Sequence, residues 1–84
     1  MPEVRITDEA LGQIARLPLR LQARVETIVD RLEQWPQVSG AKPLRGRLKG
    51  QHRIRTGDYR VVFTVQPDAI TITRVDHRRD VYED

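Results

Sequence analysis

The pattern of apolar and polar positions predicts a strand and two helices in the first half of the chain. Residues 3–6 alternate charged and apolar side chains, which is typical of a half-buried strand. Apolar side chains recur at helical spacing over residues 10–17 and again over residues 21–35. Because a proline interrupts a helix, Pro18 separates the two helices and Pro36 ends the second.

The second half of the chain predicts a connector and a three-stranded meander. Residues 37–51 contain prolines and glycines with little periodicity, so we expect an ordered connector without regular structure. Three strands are predicted at residues 52–56, 59–65 and 69–75, with turn-forming residues between them. The order β-α-α-β-β-β predicts one α+β domain over residues 1–84, with two N-terminal helices packed on one face of a four-stranded, mostly antiparallel sheet.

Strand periodicity assigns three arginines to the sheet face opposite the helices. The odd positions of residues 59–65 are apolar or aromatic and form the helix-facing side. Arg53 and Arg55 share the other, exposed face, and the intervening turn would bring Arg60 beside them. These cations repel one another unless an anion lies between them. The alternative is an ion pair for each arginine with a nearby carboxylate, at Asp58, Asp68 or Asp76.

The last predicted strand departs from simple alternation. Ile70 and Ile72 share one face while Val75 falls on the other, so we expect a bulge or an early end of the strand. Beyond it, a terminal turn of helix would place Arg78 and Tyr82 one turn apart on the same side, where both could serve one site.

Positive charge is concentrated in one segment. Residues 42–60 hold seven basic side chains and one acidic side chain, a net charge of +6 in a chain of net charge +3. Closely spaced lysines and arginines displace counterions from a nucleic-acid backbone, and arginine matches phosphate oxygens with two hydrogen bonds. A solvated basic surface and an acidic protein partner fit the same pattern. The seven basic residues of this segment are Lys42, Arg45, Arg47, Lys49, Arg53, Arg55 and Arg60.

Composition excludes several classes of site. The chain has no cysteine, so neither a disulfide framework nor a cysteine-based zinc site is possible. His52 and His77 are the two histidines, and no ligand spacing accompanies them, so we expect neither a metal nor a small-molecule cofactor. No signal-like or membrane-length apolar run occurs, and we expect a cytoplasmic protein with no membrane partner.

Four motifs in order resemble the RelE branch of the RelE/ParE toxin superfamily. They are KPLRG at residues 42–46, HRIR at 52–55, GDYRVVF at 57–63 and HRRDVY at 77–82. The combination is more specific than any one motif alone. The β-α-α-β-β-β order derived from periodicity agrees with the fold of that family.

The resemblance implies a toxin that cleaves messenger RNA on the ribosome and is held inactive by a cognate antitoxin. In this family the 2′-hydroxyl of the substrate attacks the phosphodiester, which gives a 2′,3′-cyclic phosphate and a 5′-hydroxyl without a metal. The motifs place the site on Arg53, Arg55, Arg60, Arg78 and Tyr82. Arg60 and Arg78 would stabilise the charge of the transition state. Further RNA contacts are expected from Lys42, Arg45, Arg47 and Lys49.

The proton acceptor is set by a departure from the family. The best-known members carry lysines where this chain has Arg53 and Arg55, and arginine does not lose a proton near neutral pH. We expect Tyr82 to act as the base, with its phenol pKa lowered by the surrounding guanidinium groups. His77 is the second candidate. Alternatively, Tyr82 stacks on a nucleotide base and only holds it in place.

Two other functions stay open at this point. ParE-like members of the superfamily act on DNA gyrase, and the fold alone does not exclude that target. A relative without a strong nuclease activity would only bind ribosomal RNA or an acidic antitoxin through its basic surface. The convergent arginines favour the nuclease, because a gyrase inhibitor does not require them.

Overall fold

Two helices and five strands make up the part of the chain that the structure describes. This computed structural model describes residues 2–77. The elements are β1 (Glu3–Ile6), α1 (Asp8–Ala15), α2 (Leu19–Leu32), β2 (Lys42–Pro43), β3 (Gln51–Thr56), β4 (Tyr59–Val65) and β5 (Ala69–His77), with a 3-10 turn at Gly46–Leu48. The strands form one sheet in the order β1-β5-β4-β3-β2. β1 runs parallel to β5, and the other neighbours are antiparallel. Neither helix is long and apolar enough to span a membrane.

The prediction of an α+β fold with both helices on one sheet face is confirmed, but the prediction of four strands is wrong. The additional strand, β2, pairs with β3, so that Lys42 lies opposite Arg53 and Pro43 opposite His52. Sequence patterning missed β2 because proline and glycine break regular structure. Proline has no N–H to donate to a neighbouring strand. An edge strand tolerates Pro43 because no strand pairs with its outer side.

The hydrophobic core lies between the helices and the sheet. The odd positions of β4 face the helices as predicted, and Phe63 is fully buried. Trp35 packs edge-on against Phe63, with the ring centroids 5.6 Å apart. The buried core residues are Ala10, Val25, Ile28, Leu32, Ile54, Val61, Phe63, Ile70, Ile72 and Val75.

A β-bulge interrupts the pairing of β4 with β5. The register shifts between Val62 and Phe63, because Thr73 of β5 is an extra residue in the ladder. The extra residue allows Ile72 and Val75 to face the same side, and both belong to the core. The predicted irregularity is therefore confirmed, in the form of a bulge.

The last strand runs further than predicted, to His77 instead of Val75. Asp76 and His77 belong to β5, which continues past the bulge because both pair with β4. The predicted terminal turn of helix, which would relate Arg78 to Tyr82, falls on residues that lie outside the described ones. The second helix also ends earlier than predicted, at Leu32.

Side chains from the first helix and its N-cap hold the bulged backbone. Gln13 Oε1 accepts a hydrogen bond from the backbone N–H of Val75 at 2.7 Å. Thr7 Oγ1 donates to the carbonyl of Thr73 at 3.3 Å and accepts from the N–H of Ala10 at 3.2 Å, which caps α1. The same two side chains thus join the start of α1 to the bulge.

Substitution Gln13→Leu tests this link. It leaves the Val75 N–H without its acceptor, and we expect the free energy of unfolding to fall by about 1–3 kcal/mol. Gln13→Glu keeps an acceptor oxygen and should lose less. Urea denaturation measures both, with Gln34→Leu as the control at an exposed position beyond the end of α2. Equal losses in Gln13→Leu and Gln34→Leu would contradict the link.

Candidate functional site

The sheet face turned away from the helices carries a cluster of arginines, which we call the arginine face. It comprises Arg53 and Arg55 of β3, Arg60 of β4 and Arg74 of β5. Arg55 lies directly opposite Arg60, while Arg53 and Arg74 lie on either side of Val62. The predicted placement of Arg53, Arg55 and Arg60 on one face is therefore confirmed.

The arginine face is more buried than predicted. Arg60 is only 4% exposed, whereas Arg53 is half-buried and Arg55 is exposed. Val62 and Leu44 are also buried, although neither belongs to the main core cluster. Leu44 extends the pairing of β2 through a bond from its N–H to the carbonyl of Gln51 at 2.9 Å, and alternation places it on the arginine face. The expectation of a fully exposed Arg60 is therefore wrong, because apolar residues accompany it on this face.

Two of the guanidinium groups lack a carboxylate partner among residues 2–77. Arg53 and Arg55 form no ion pair with any residue in the range 2–77, and Arg53 Nε is buried without an acceptor there. The alternative in which each arginine pairs with a carboxylate is wrong for these two. Arg74 does have one, since its Nε lies 3.0 Å from Asp76 Oδ2. Among the described residues this face therefore retains positive charge that an anion can neutralise.

The other predicted RNA contacts lie at the edge of this face and on the connector. Lys42 is exposed and pairs with Arg53 across β2 and β3, so it shares the arginine face. The remaining three are exposed on the segment that leads into β3: Arg45, Arg47 and Lys49. The structure thus brings Lys42 to the arginines, and the other three stay on the connector.

His77, the second proton acceptor proposed from the sequence, does not lie on the arginine face. His77 lies opposite Tyr59, with the ring centroids 5.0 Å apart in an edge-on arrangement. Tyr59 packs against the core, so His77 is on the helix-facing side. This placement counts against His77 as the base. Arg78 and Tyr82 lie outside the described residues.

Arg74 was not predicted from the sequence to lie on the arginine face, and Asp76 was expected only as a candidate ion-pair partner of the arginines. Strict alternation from Ile72 would place Arg74 among the core side chains, and the bulge at Thr73 moves it to the opposite face. The available signal was Val75, an apolar residue out of phase with the apolar residues before it. A charged residue at a position that alternation assigns to the core also indicates a bulge.

The chemistry of the arginine face suits a phosphate group. Guanidinium groups donate paired hydrogen bonds to phosphate oxygens and keep their charge at any physiological pH. Within residues 2–77, no group of three or more His, Asp or Glu side chains is arranged to hold a metal ion. The described part of this face can therefore bind a phosphodiester and stabilise added negative charge on it.

Comparison with known proteins points to one family. A family model for the ParE toxin of the type II toxin–antitoxin system parDE matches residues 4–82. Toxin RelG of Mycobacterium tuberculosis is 39% identical over 82 residues, which cover 94% of this chain and 93% of that protein. Toxin RelE3 of Methanocaldococcus jannaschii is 29% identical over 73 residues, 83% of each protein. In the crystal structure of the RelBE2 toxin–antitoxin complex from M. tuberculosis, a chain superposes with a TM-score of 0.81 at 34% identity, covering 93% of this chain and 100% of that one.

The repulsion between Arg55 and Arg60 gives a testable effect on stability. Substitution Arg55→Gln removes a like charge from a directly opposed pair, so the free energy of unfolding should rise by roughly 0.2–1 kcal/mol at low salt. The gain should shrink at about 1 M salt, where charges are screened within about 3 Å. Urea denaturation measures it. Arg47→Gln is the control, because it removes the same charge from the connector, and equal gains in both variants would point to net charge alone.

Proposed function

Because the chain belongs to the ParE toxin family of type II toxin–antitoxin systems, within the RelE/ParE superfamily, we propose that it is a RelE-like toxin that cleaves messenger RNA on the ribosome. The observation that carries the proposal is the arginine face, where Arg53 and Arg55 lack ion-pair partners in residues 2–77 and lie beside Arg60. The names of the relatives RelG and RelE3 support the RelE branch.

The proposed reaction is a transfer within the RNA. The 2′-hydroxyl oxygen attacks the adjacent phosphorus, its proton passes to a base, and the bond to the 5′-oxygen breaks. The leaving oxygen takes up a proton, so the products are a 2′,3′-cyclic phosphate and a 5′-hydroxyl. Negative charge grows on the phosphate oxygens in the transition state. Guanidinium groups that a sheet holds close together stabilise that charge, and the proposed reaction therefore needs no metal.

The roles of the residues follow from their chemistry. Arg53 and Arg55 bind the phosphodiester, and Arg60 stabilises the transition state together with Arg78. Arginine keeps its proton, so the base in this proposal is Tyr82, whose phenol pKa the guanidinium groups would lower. Lys42 and the connector cations would contact neighbouring phosphates.

We also propose a cognate antitoxin as a partner. The related M. tuberculosis structure is that of a RelBE2 toxin–antitoxin complex. In this chain residues 42–60 carry a net charge of +6, which an acidic or amphipathic antitoxin segment would cover. The antitoxin would then compete with ribosome-bound messenger RNA for this surface, and the protein would act in the cytoplasm.

Primer extension on a messenger RNA, with and without ribosomes, tests the nuclease proposal. We expect wild-type protein to cut at the decoding site only when ribosomes are present, with little effect of EDTA at concentrations that spare ribosomes. Arg55→Ala removes an exposed guanidinium from the phosphate site and should slow cutting about a hundredfold. Arg20→Ala removes an exposed arginine from α2, in the helical layer, and should cut like the wild type.

The variants also distinguish specific roles from general ones. Equal losses in Arg55→Ala and Arg20→Ala would reduce the site to overall charge. Tyr82→Phe removes only the hydroxyl, so unchanged cutting by this variant would exclude the phenol as the base. Because Arg60 is buried, Arg60→Ala is informative only when thermal melting shows that the variant remains folded.

The second candidate function is inhibition of DNA gyrase, favoured by the ParE description of the matching family model. A gyrase inhibitor would leave messenger RNA intact with or without ribosomes and abolish supercoiling of relaxed plasmid by gyrase. Wild-type protein that neither cuts messenger RNA nor inhibits gyrase would be a binding-only relative.

A further inference from the structure

We propose that Arg74, oriented by Asp76, is an additional phosphate-binding residue of the arginine face. The inference rests on the proposed function for the identity of the ligand as RNA. Arg74 lies opposite Val62, whose other neighbour is Arg53 on β3. A single residue of β4 thus lies between Arg53 and Arg74 on the same face. A phosphodiester on this face would contact cations from both β3 and β5.

An ion pair restrains the Arg74 guanidinium, although its buried Nε donates no hydrogen bond of good geometry within residues 2–77. Its Nε lies 3.0 Å from Asp76 Oδ2, and the two side chains are 34% and 14% exposed. The terminal amino groups of Arg74 donate no hydrogen bond to any residue in the range 2–77. A guanidinium held at one side and open at the other loses less conformational freedom when a phosphate binds.

Asp76 is a negatively charged residue within a cluster of positive ones. It is the one acidic residue in β3, β4 and β5, and it lies directly opposite Arg60 while following Arg74 by two positions. A carboxylate at this point lowers the positive potential of an anion site. We infer that its contribution is orientation, since it places a negative group between two guanidinium-bearing residues and aligns Arg74.

A second arginine–carboxylate pair in the same sheet offers a comparison. Arg5 and Glu3 of β1 are also two residues apart, with Arg5 Nε donating to Glu3 Oε2 at 2.9 Å. Arg5 lies opposite Thr71, which itself faces Thr64, so the register puts this pair on the same side of the sheet, at its far edge and outside the arginine face as defined above. Both of its side chains are 62% exposed. The pair matches Arg74–Asp76 in chemistry but not in burial or in proximity to other arginines.

Binding of a single-stranded RNA with 2′-O-methyl groups tests the inference, because this RNA lacks the attacking hydroxyl and stays intact. Fluorescence anisotropy at several salt concentrations gives the affinity and its salt dependence. We expect Arg74→Gln to bind at least about tenfold more weakly than wild type. The slope of log affinity against log salt should fall by about 0.7, the value for one phosphate contact on a single strand. Arg5→Gln, the matched control, should keep the wild-type slope.

Substitution Asp76→Asn distinguishes an orienting role of Asp76 from a purely electrostatic one, because the two roles predict opposite changes in RNA affinity. Removing a negative charge should tighten RNA binding if only overall electrostatics matter, and Glu3→Gln measures that effect. If Asp76 orients Arg74, Asp76→Asn should bind more weakly than wild type despite its extra positive charge, and Asp76→Glu should restore part of the loss. Thermal melting checks that each variant is folded. If Arg74→Gln is not folded, Arg74→Lys replaces it.

The outcomes separate this inference from the proposed function. If wild-type protein fails to cut messenger RNA but shows these binding differences, the nuclease proposal is wrong and the phosphate site stands. If wild-type protein cuts, while Arg74→Gln and Asp76→Asn bind RNA at least as well as their β1 controls, only the inference is overturned. Absence of measurable RNA binding by wild type at low salt would also overturn it.

Discussion

The bulge at Thr73 is the constraint on which both faces of the sheet depend. It lets β5 contribute Ile72 and Val75 to the core and still present Arg74 and Asp76 on the arginine face. Strict alternation would force a guanidinium into the core, and a buried charge without a partner costs several kcal/mol. Because side chains of α1 and its N-cap bond to the bulged backbone, the helical layer sets the geometry of the opposite face.

The concentration of positive charge on the arginine face lowers the stability of the sheet. Arg55 and Arg60 are directly opposed in the sheet, and like charges in that relation destabilise it. The burial of Arg60 and Val62 limits the freedom of the side chains around them. A site whose cations already lie close together on one sheet suits a reaction whose transition state gains negative charge.

Periodicity predicted most of the fold and part of the site. The alternation of residues 59–65 assigned the two faces of β4 correctly, and with them the side on which Arg53 and Arg55 lie. It missed β2 because the pairing of Pro43 depends on a tertiary contact with β3 and not on local propensity. It also misjudged the exposure of Arg60, since burial on the second face depends on how the connector around Leu44 folds back. No local pattern reports that contact.

The separation of the two faces narrows the search for the proton acceptor. His52 stacks on Phe63 with the ring centroids 5.6 Å apart, and His77 packs against Tyr59, so both imidazoles lie on the helix-facing side. Within β3, β4 and β5 the one carboxylate, Asp76, is held by a guanidinium. In these three strands the arginine face thus carries several guanidinium groups and a single carboxylate that could accept a proton. A nuclease built on it would owe most of its rate to positioning and electrostatic stabilisation, with the base supplied by Tyr82.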